Sequence, residues 1–221
     1  RRSTSALCAR FPARRKKRRA RCASPRDLPA DAFLIFFASR MSHEKDPETV
    51  LRATAAIRAK GVTAVLLNLG GGYEQFLALA DTLGLPDAKD WVIGRPAAHP
   101  MTEVQDYFRA ADVTVQSSLA EGLGLSPLES LACGTPVVAT RVGGMAVTLD
   151  RVAQLTARRD VDAMAAALLW IADDREAARA QALTGREMVA RDWSRDKAFR
   201  DMATVIDDVS VARRGGPMPA H

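Results

Sequence analysis

Continuous apolar runs alternate with amphipathic stretches along this chain. Phe33–Phe37 is one such run, which is typical of a strand buried on both faces of a sheet. A helix is predicted next, with Asp46 as its N-cap, Pro47 in its first turn and Gly61 as its stop signal. The same signals predict further strands over 62–69, 91–95, 113–115 and 136–140, and helices over 73–83, 102–110, from about 127, after Asp160 and after Ser194. This order predicts an α/β fold, a mostly parallel sheet flanked by helices, with ligands beyond the carboxyl ends of the strands.

Length and composition set the size of the core. The chain has 221 residues, of which 48% are hydrophobic and 5% aromatic, so it is long enough for one core built mainly of Ala, Leu and Val but too short for two full domains. No run of about 18 apolar residues occurs, which is the length that a membrane-spanning helix needs. The apolar stripes after Asp160 and after Ser194 are interpreted as core-facing sides of helices rather than as cofactor contacts.

Positive charge is concentrated at the start of the sequence. Residues 1–29 hold 11 basic residues against Asp27 alone, whereas the remainder holds 21 basic and 25 acidic residues. The basic run over 14–21 is able to contact nucleic acid or anionic lipid, and an Arg-rich, acid-poor start is also typical of a transit peptide. No aromatic side chain is interleaved within this run to stack on bases, so specific nucleic-acid binding is not expected.

The cysteines and histidines form no ligand pattern. The cysteines at 8, 22 and 133 lack zinc or redox spacing, and their odd number without a signal peptide predicts a reducing, cytoplasmic location. The three histidines are scattered, so no structural metal is expected, and His43 is expected to be exposed to solvent.

A Gly-rich turn before a helix start is the most informative segment. Gly122 and Gly124 lack Cβ, which lets a ligand approach the main chain, and Ser126 has the place of an N-cap with Pro127 at N1 and Glu129 at N3 of a capping box. One interpretation is an anion site, because free backbone N–H groups and the helix dipole favour a phosphate there. The other is structural, with Glu129 simply closing its capping box. The local pattern leaves both open.

Two segments resemble elements of a known family. EGLGLSPLE over 121–129, followed by ACGTPVVAT and by Gly143-Gly144, resembles the E-x(7)-E region of the family 4 retaining glycosyltransferases. Ser39-Arg40, followed by Lys45, resembles the (G/S)-R-x(4)-K element whose cations hold the donor diphosphate in that family. The resemblance extends from about residue 11 to 209. It departs from the family pattern at Gly71, where an aspartate is usual, and after Gly144, where a proline–glutamate pair is common.

The resemblance implies a domain organisation. It implies one Rossmann-like half of a GT-B architecture, the C-terminal nucleotide-sugar-binding domain over 30–210, with 1–29 as a basic interdomain linker and 211–221 as a disordered tail. The chain is then an incomplete fragment that is inactive alone, and an N-terminal acceptor domain is its missing partner. The apolar face of the last helix is expected to be partly uncovered for the same reason. Peripheral membrane contact is left open.

The resemblance also assigns roles to individual residues. Arg40 and Lys45 stabilise the leaving diphosphate and Glu121 faces the reacting centre, which makes these three the candidate catalytic residues. The donor-binding set comprises Gly94 and Arg95 at the base, Glu129 at the ribose, and Gly122, Leu123, Gly124, Leu125 and Ser126 at the sugar and diphosphate. A UDP-, ADP- or GDP-sugar is the implied co-substrate, with neither a metal nor another cofactor.

Three functions are compatible with these observations. The first is a retaining hexosyltransferase of polysaccharide biosynthesis, for which this chain supplies the donor-binding half. The second is a non-catalytic nucleotide-binding or interaction module, and the third is a polyanion-binding protein that acts through its basic arm.

Overall fold

The computed structural model describes residues 28–29, 31–95 and 101–213, and within them six strands form a single sheet. The strands are β1 (Phe33–Phe37), β2 (Ala64–Leu69), β3 (Val92–Arg95), β4 (Val113–Gln116), β5 (Val137–Thr140) and β6 (Gln154–Thr156). They lie in the order β3-β2-β1-β4-β5-β6, and each of these pairings is parallel. The predicted α/β fold is therefore confirmed. Residues 1–27 of the basic linker predicted over 1–29 lie outside the described residues, as do the predicted tail beyond 213, two of the cysteines and two of the histidines.

Helices connect the strands and cover the sheet. They are α1 (Pro47–Ala59), α2 (Tyr73–Thr82), α3 (Met101–Ala110), α4 (Leu125–Ala132), α5 (Met145–Thr148), α6 (Val161–Asp173), α7 (Arg175–Asp192) and α8 (Arg195–Arg213), with 3₁₀ turns at His43–Lys45 and Pro86–Asp90. Asp46 caps α1 and Asp160 caps α6, as predicted, because their carboxylates accept from Thr49 N and Ala163 N. The sequence did not predict α5, α7 or β6, and α8 includes residues 211–213 of the predicted tail.

The core has two layers, one on each face of the sheet, and β1 contributes to both. Phe33, Ile35 and Phe37 pack on the side of α1, α2 and α6, whereas Leu34 and Phe36 pack on the side of α3. All five side chains are at most 1% exposed, and burying each one contributes about 1.5–3 kcal/mol to stability. Leu28 is also buried in the second layer, although the sequence analysis placed it in the linker.

The start of α4 differs from the prediction. The helix begins at Leu125 and its N-cap is Gly124, which takes a left-handed φ of 77°, so Ser126 is not the N-cap. The Ser126 hydroxyl instead donates to the carbonyl oxygen of Ala38, after β1, at 3.3 Å. The predicted capping box is therefore wrong. The Ser126 hydroxyl is engaged in a tertiary contact, and because the helix starts at Leu125, Glu129 lies beyond its first turn.

Candidate functional site

The strand order reverses between β1 and β4, and the loops that follow these two strands meet there. Lys45 Nζ lies 2.5 Å from Glu121 Oε2, and the two side chains are 24% and 20% exposed. Backbone contacts hold the same loops together, since Leu119 N donates to Glu44 O at 2.8 Å and Ser117 Oγ donates to Lys45 O at 2.7 Å. The structure thus joins two of the three candidate catalytic residues in one partly buried ion pair.

The Glu121 carboxylate has further donors from the end of β4. Gln116 Nε2 lies 3.3 Å and Ser118 Oγ lies 3.2 Å from Glu121 Oε2. The sequence analysis missed both residues. A signal was present, because three polar residues in succession, 116–118, end a strand that is otherwise apolar or β-branched, and all three are buried.

The N-terminus of α4 offers backbone donors to an anion. The first amides of a helix have no partner within the helix, and in the described structure no side chain caps those of α4. The first turn of α4 carries no acidic residue among those described, and Leu125 in that turn is 67% exposed. The positive end of the helix dipole is therefore accessible to a negatively charged ligand.

Two glycines support the Gly-rich loop from behind. Gly144 N donates to Gly122 O at 2.6 Å, and a Cβ at Gly143 would lie only 1.7 Å from the Glu121 carbonyl oxygen. On the other side the loop is open, because a Cβ at Gly122 would meet no heavy atom within 4 Å. The loop is thus tightly backed and has free space in front, as close approach of a ligand to the main chain requires.

Arg40 lies on a turn that is anchored from two directions. The buried Asn68 donates through Nδ2 to Ser39 O at 2.9 Å and to Phe37 O at 3.2 Å. Gly70 lies directly against this turn, because a Cβ on Gly70 would be 2.5 Å from Ser39 O. Arg40 itself is exposed, and its guanidinium makes no hydrogen bond or ion pair within the described residues. A fixed main chain therefore presents an exposed cation, near the Glu44 carboxylate whose pKa it helps to lower, in the segment that Ser126 contacts.

Glu129 lies in α4, beyond the first turn. Burial raises the pKa of its carboxyl above the ordinary value, and within the described part of the chain this carboxyl has no hydrogen-bond or ion-pair partner. A half-buried carboxylate without partners is costly to keep ionised. Hydroxyl donors from a ligand would offset that cost.

Gly94 and Arg95 end the edge strand β3, which β2 separates from β1. Gly94 packs tightly on α2, since a Cβ there would lie 2.5 Å from Tyr73 ring atoms, and Arg95 Nη1 contacts Gly94 O at 3.2 Å. These two residues are therefore the candidate site residues farthest from the switch point in sheet order.

His43 is exposed, as predicted, and it lines a cavity of about 610 Å³ with Arg52 and Arg159. Neither Lys45 nor Glu121 lines that cavity. Within residues 28–29, 31–95 and 101–213, no group of three or more His, Cys, Asp or Glu side chains is placed to hold a metal ion. None of the described helices is long and apolar enough to cross a membrane.

The strand order and the position of the crevice define a class of protein. A parallel sheet of order 3-2-1-4-5-6, with its polar crevice where the order reverses, is the Rossmann-like arrangement. A sequence model of the family described as "Glycosyl transferases group 1" matches residues 23–188. The chain therefore belongs to the group 1 glycosyl transferases.

Individual proteins of known name agree with this assignment. Over 129 residues the chain is 40% identical to D-inositol 3-phosphate glycosyltransferase of Thermobifida fusca (strain YX). The matched region covers 53% of this chain and 29% of that protein. In structure it is similar to sucrose-phosphate synthase of Thermosynechococcus elongatus, with a TM-score of 0.75 and 27% identity, over 87% of this chain and 49% of the other. Anabaena HepE in complex with UDP-glucose has a TM-score of 0.75 and 16% identity, over 86% and 52% of the respective chains.

These matches define how much of a relative the chain represents. It spans less than a third of the Thermobifida protein and about half of each of the two solved structures. The structural likeness confirms the predicted Rossmann-like unit of a GT-B glycosyltransferase fold.

Proposed function

We propose that this chain is the donor-binding half of a retaining glycosyltransferase, which transfers a hexose from a nucleoside diphosphate sugar to an acceptor hydroxyl. The observation that carries the proposal is the Lys45–Glu121 pair at the β1–β4 switch point, beside the uncapped N-terminus of α4. Membership of the glycosyl transferase family supports it. The UDP-glucose named in the HepE structure supports a nucleoside diphosphate sugar as the class of donor.

Departure of the nucleoside diphosphate creates negative charge that the protein must stabilise. Arg40 forks onto phosphate oxygens, Lys45 adds a point charge, and the amides of Leu125 and Ser126 donate from the start of α4. Because these donors are fixed before the reaction, they favour the charge as it develops. In this proposal the cations act without a metal ion.

The remaining candidate residues recognise the rest of the donor. Glu129 accepts hydrogen bonds from the ribose hydroxyls, Glu121 with the loop 122–124 faces the sugar, and the main chain of Gly94 and Arg95 meets the base. The raised pKa of Glu129 supports its assignment, because a half-buried carboxyl without protein partners gains most from hydroxyl donors. Glu129 is free for this role because it does not close a capping box.

The acceptor half is proposed to be a second domain that packs on α8. Phe199, Met202, Val205, Ile206 and Val209 on this helix are 52–63% exposed, which is unusual for an apolar stripe. The share of the relatives that the chain leaves uncovered gives room for such a domain.

Titration calorimetry of the chain with UDP, ADP and GDP tests the proposal. We expect micromolar binding of at least one nucleotide. Arg40→Ala is expected to weaken this binding by about 10- to 100-fold and Glu129→Gln by about tenfold, because each removes hydrogen bonds that involve a charged group. Arg191→Ala is the matched control, since Arg191 is an exposed arginine whose one ion pair within the described residues is with its neighbour Asp192. A wild-type chain that binds none of the three nucleotides would contradict the proposal.

A further inference from the structure

Three consecutive polar residues are buried where β4 ends. Gln116 is 2% exposed, and Ser117 and Ser118 are fully buried. Burying an amide or a hydroxyl is unfavourable unless its hydrogen bonds are replaced. The partners of these side chains therefore indicate why polar residues stand at this position.

Gln116 and Ser118 form a chain of hydrogen bonds that ends on Glu121. Gln116 Nε2 donates to Ser118 Oγ at 2.6 Å, and the single hydroxyl proton of Ser118 is then left for Glu121 Oε2 at 3.2 Å. Gln116 Nε2 also lies 3.3 Å from the same carboxylate oxygen. On its other side, Gln116 Oε1 accepts from Ser39 Oγ at 3.4 Å, which links the network to the turn that carries Arg40.

The third donor to Glu121 Oε2 is Lys45, which is partly exposed whereas Gln116 and Ser118 are buried. In the proposed reaction Lys45 also faces the donor diphosphate, so its ammonium is shared between two anions. Gln116 and Ser118 are buried, so a ligand in the crevice does not reach them and their hydrogen bonds to Glu121 are kept when it binds. We propose that Gln116, acting through Ser118, is a positioning residue that holds the Glu121 carboxylate against the donor sugar while Lys45 engages the diphosphate. This inference rests on the proposed function.

The test compares a nucleotide with its sugar conjugate. Calorimetric titration of the full chain with UDP and UDP-glucose, and in parallel with the corresponding ADP and GDP pairs, separates contacts to the sugar from contacts to the diphosphate. We expect Gln116→Leu to weaken binding of the nucleotide sugar by about tenfold and binding of the nucleotide by about twofold at most. Ser118→Ala should act in the same direction, and it provides the test if the Leu variant does not fold. A residue that only stabilised the fold would lower both affinities together.

Two controls make the assignment specific. Thr114→Val changes an equally buried polar side chain of the same strand that contacts Ser130 and not Glu121, and it should leave both affinities unchanged. In a Glu121→Gln background, Gln116→Leu should cause no further loss of affinity for the nucleotide sugar, because the effect of Gln116 passes through the carboxylate.

Each contrary outcome identifies what is wrong. Equal losses for nucleotide and nucleotide sugar, or an undiminished effect of Gln116→Leu in the Glu121→Gln background, would overturn the positioning role and leave the proposed function intact. A wild-type chain that binds neither member of any of the three pairs would overturn the proposed function, and this inference with it.

Discussion

Two glycines of the candidate site differ in what surrounds them. Gly143 has a φ of 49°, and a Cβ added to it would overlap the carbonyl oxygen of Glu121. A Cβ added to Gly122 would meet no heavy atom within 4 Å. Gly143→Ala should therefore lower the free energy of unfolding by about 2–4 kcal/mol, from the left-handed backbone and the clash together. Urea unfolding followed by circular dichroism measures this difference.

Gly122→Ala is the matched comparison for that measurement. The substitution should change the free energy of unfolding by about 0.5 kcal/mol or less, because the new methyl group meets no atom of the protein. It should still weaken binding of the nucleotide sugar, since the methyl group occupies the space in front of the loop, which faces the sugar in the proposed function. Equal stability of the Gly143→Ala and wild-type proteins would show that the loop over 121–124 moves freely relative to Gly143.

At the scale of the element, the helix starts differ in how they are capped. Asp160 accepts from Ala163 N at 2.8 Å at the start of α6, while α4 begins at Gly124 without a side-chain cap. Asp160→Ala should therefore lower the free energy of unfolding by about 1 kcal/mol. Asp160→Asn should keep most of the stability that the cap provides, because an asparagine side chain also accepts from the helix amide. Ser126→Ala should lower the free energy of unfolding by about 0.5 kcal/mol or less, since among the described residues its hydroxyl makes one hydrogen bond, at 3.3 Å. Equal costs at the two positions, measured by urea unfolding, would restore Ser126 as the cap of α4.

At the scale of the whole molecule, the amino ends and the carboxyl ends of the strands have different roles. Asp112 lies at the amino edge, where its buried carboxylate accepts from Leu34 N at 2.9 Å and from Arg175 Nη1 at 3.0 Å. Asp112→Ala leaves a buried N–H group unpaired, and should lower the free energy of unfolding by about 2–4 kcal/mol. The candidate site lies at the opposite, carboxyl edge, so the affinity of the folded protein for a nucleotide should not change.

Arg40→Ala gives the reverse pattern and serves as the control for Asp112→Ala. Its side chain is exposed and interacts with the protein only weakly, through the charge of the exposed Glu44 among the described residues, so its removal should leave stability within about 0.5 kcal/mol of wild type and reduce nucleotide affinity. Urea unfolding and calorimetric titration of both variants test this separation. A loss of affinity in folded Asp112→Ala protein would show that the two edges are coupled.

Local sequence signals were enough to predict most of the strands and helices, and the resemblance was enough to name Lys45 and Glu121 as candidates. Local signals act over a few residues, so the buried run of β1 and the caps Asp46 and Asp160 were readable from the chain alone. The resemblance selected Lys45 and Glu121 before any geometry was known. The predictions for the cations, for Glu129 and for the base-binding residues depend on a ligand, and they stay predictions.

Only the tertiary structure decided which side chains meet. Lys45 is far from Glu121 in sequence and meets it only where the strand order reverses, whereas Gln116 and Ser118 are near neighbours whose contacts depend on how the chain turns after β4. The same packing took the Ser126 hydroxyl away from the cap that its sequence position predicted and gave it to Ala38. A hydrogen bond between distant residues has no local signature, because its formation depends on the path of the whole chain rather than on the preferences of neighbouring residues.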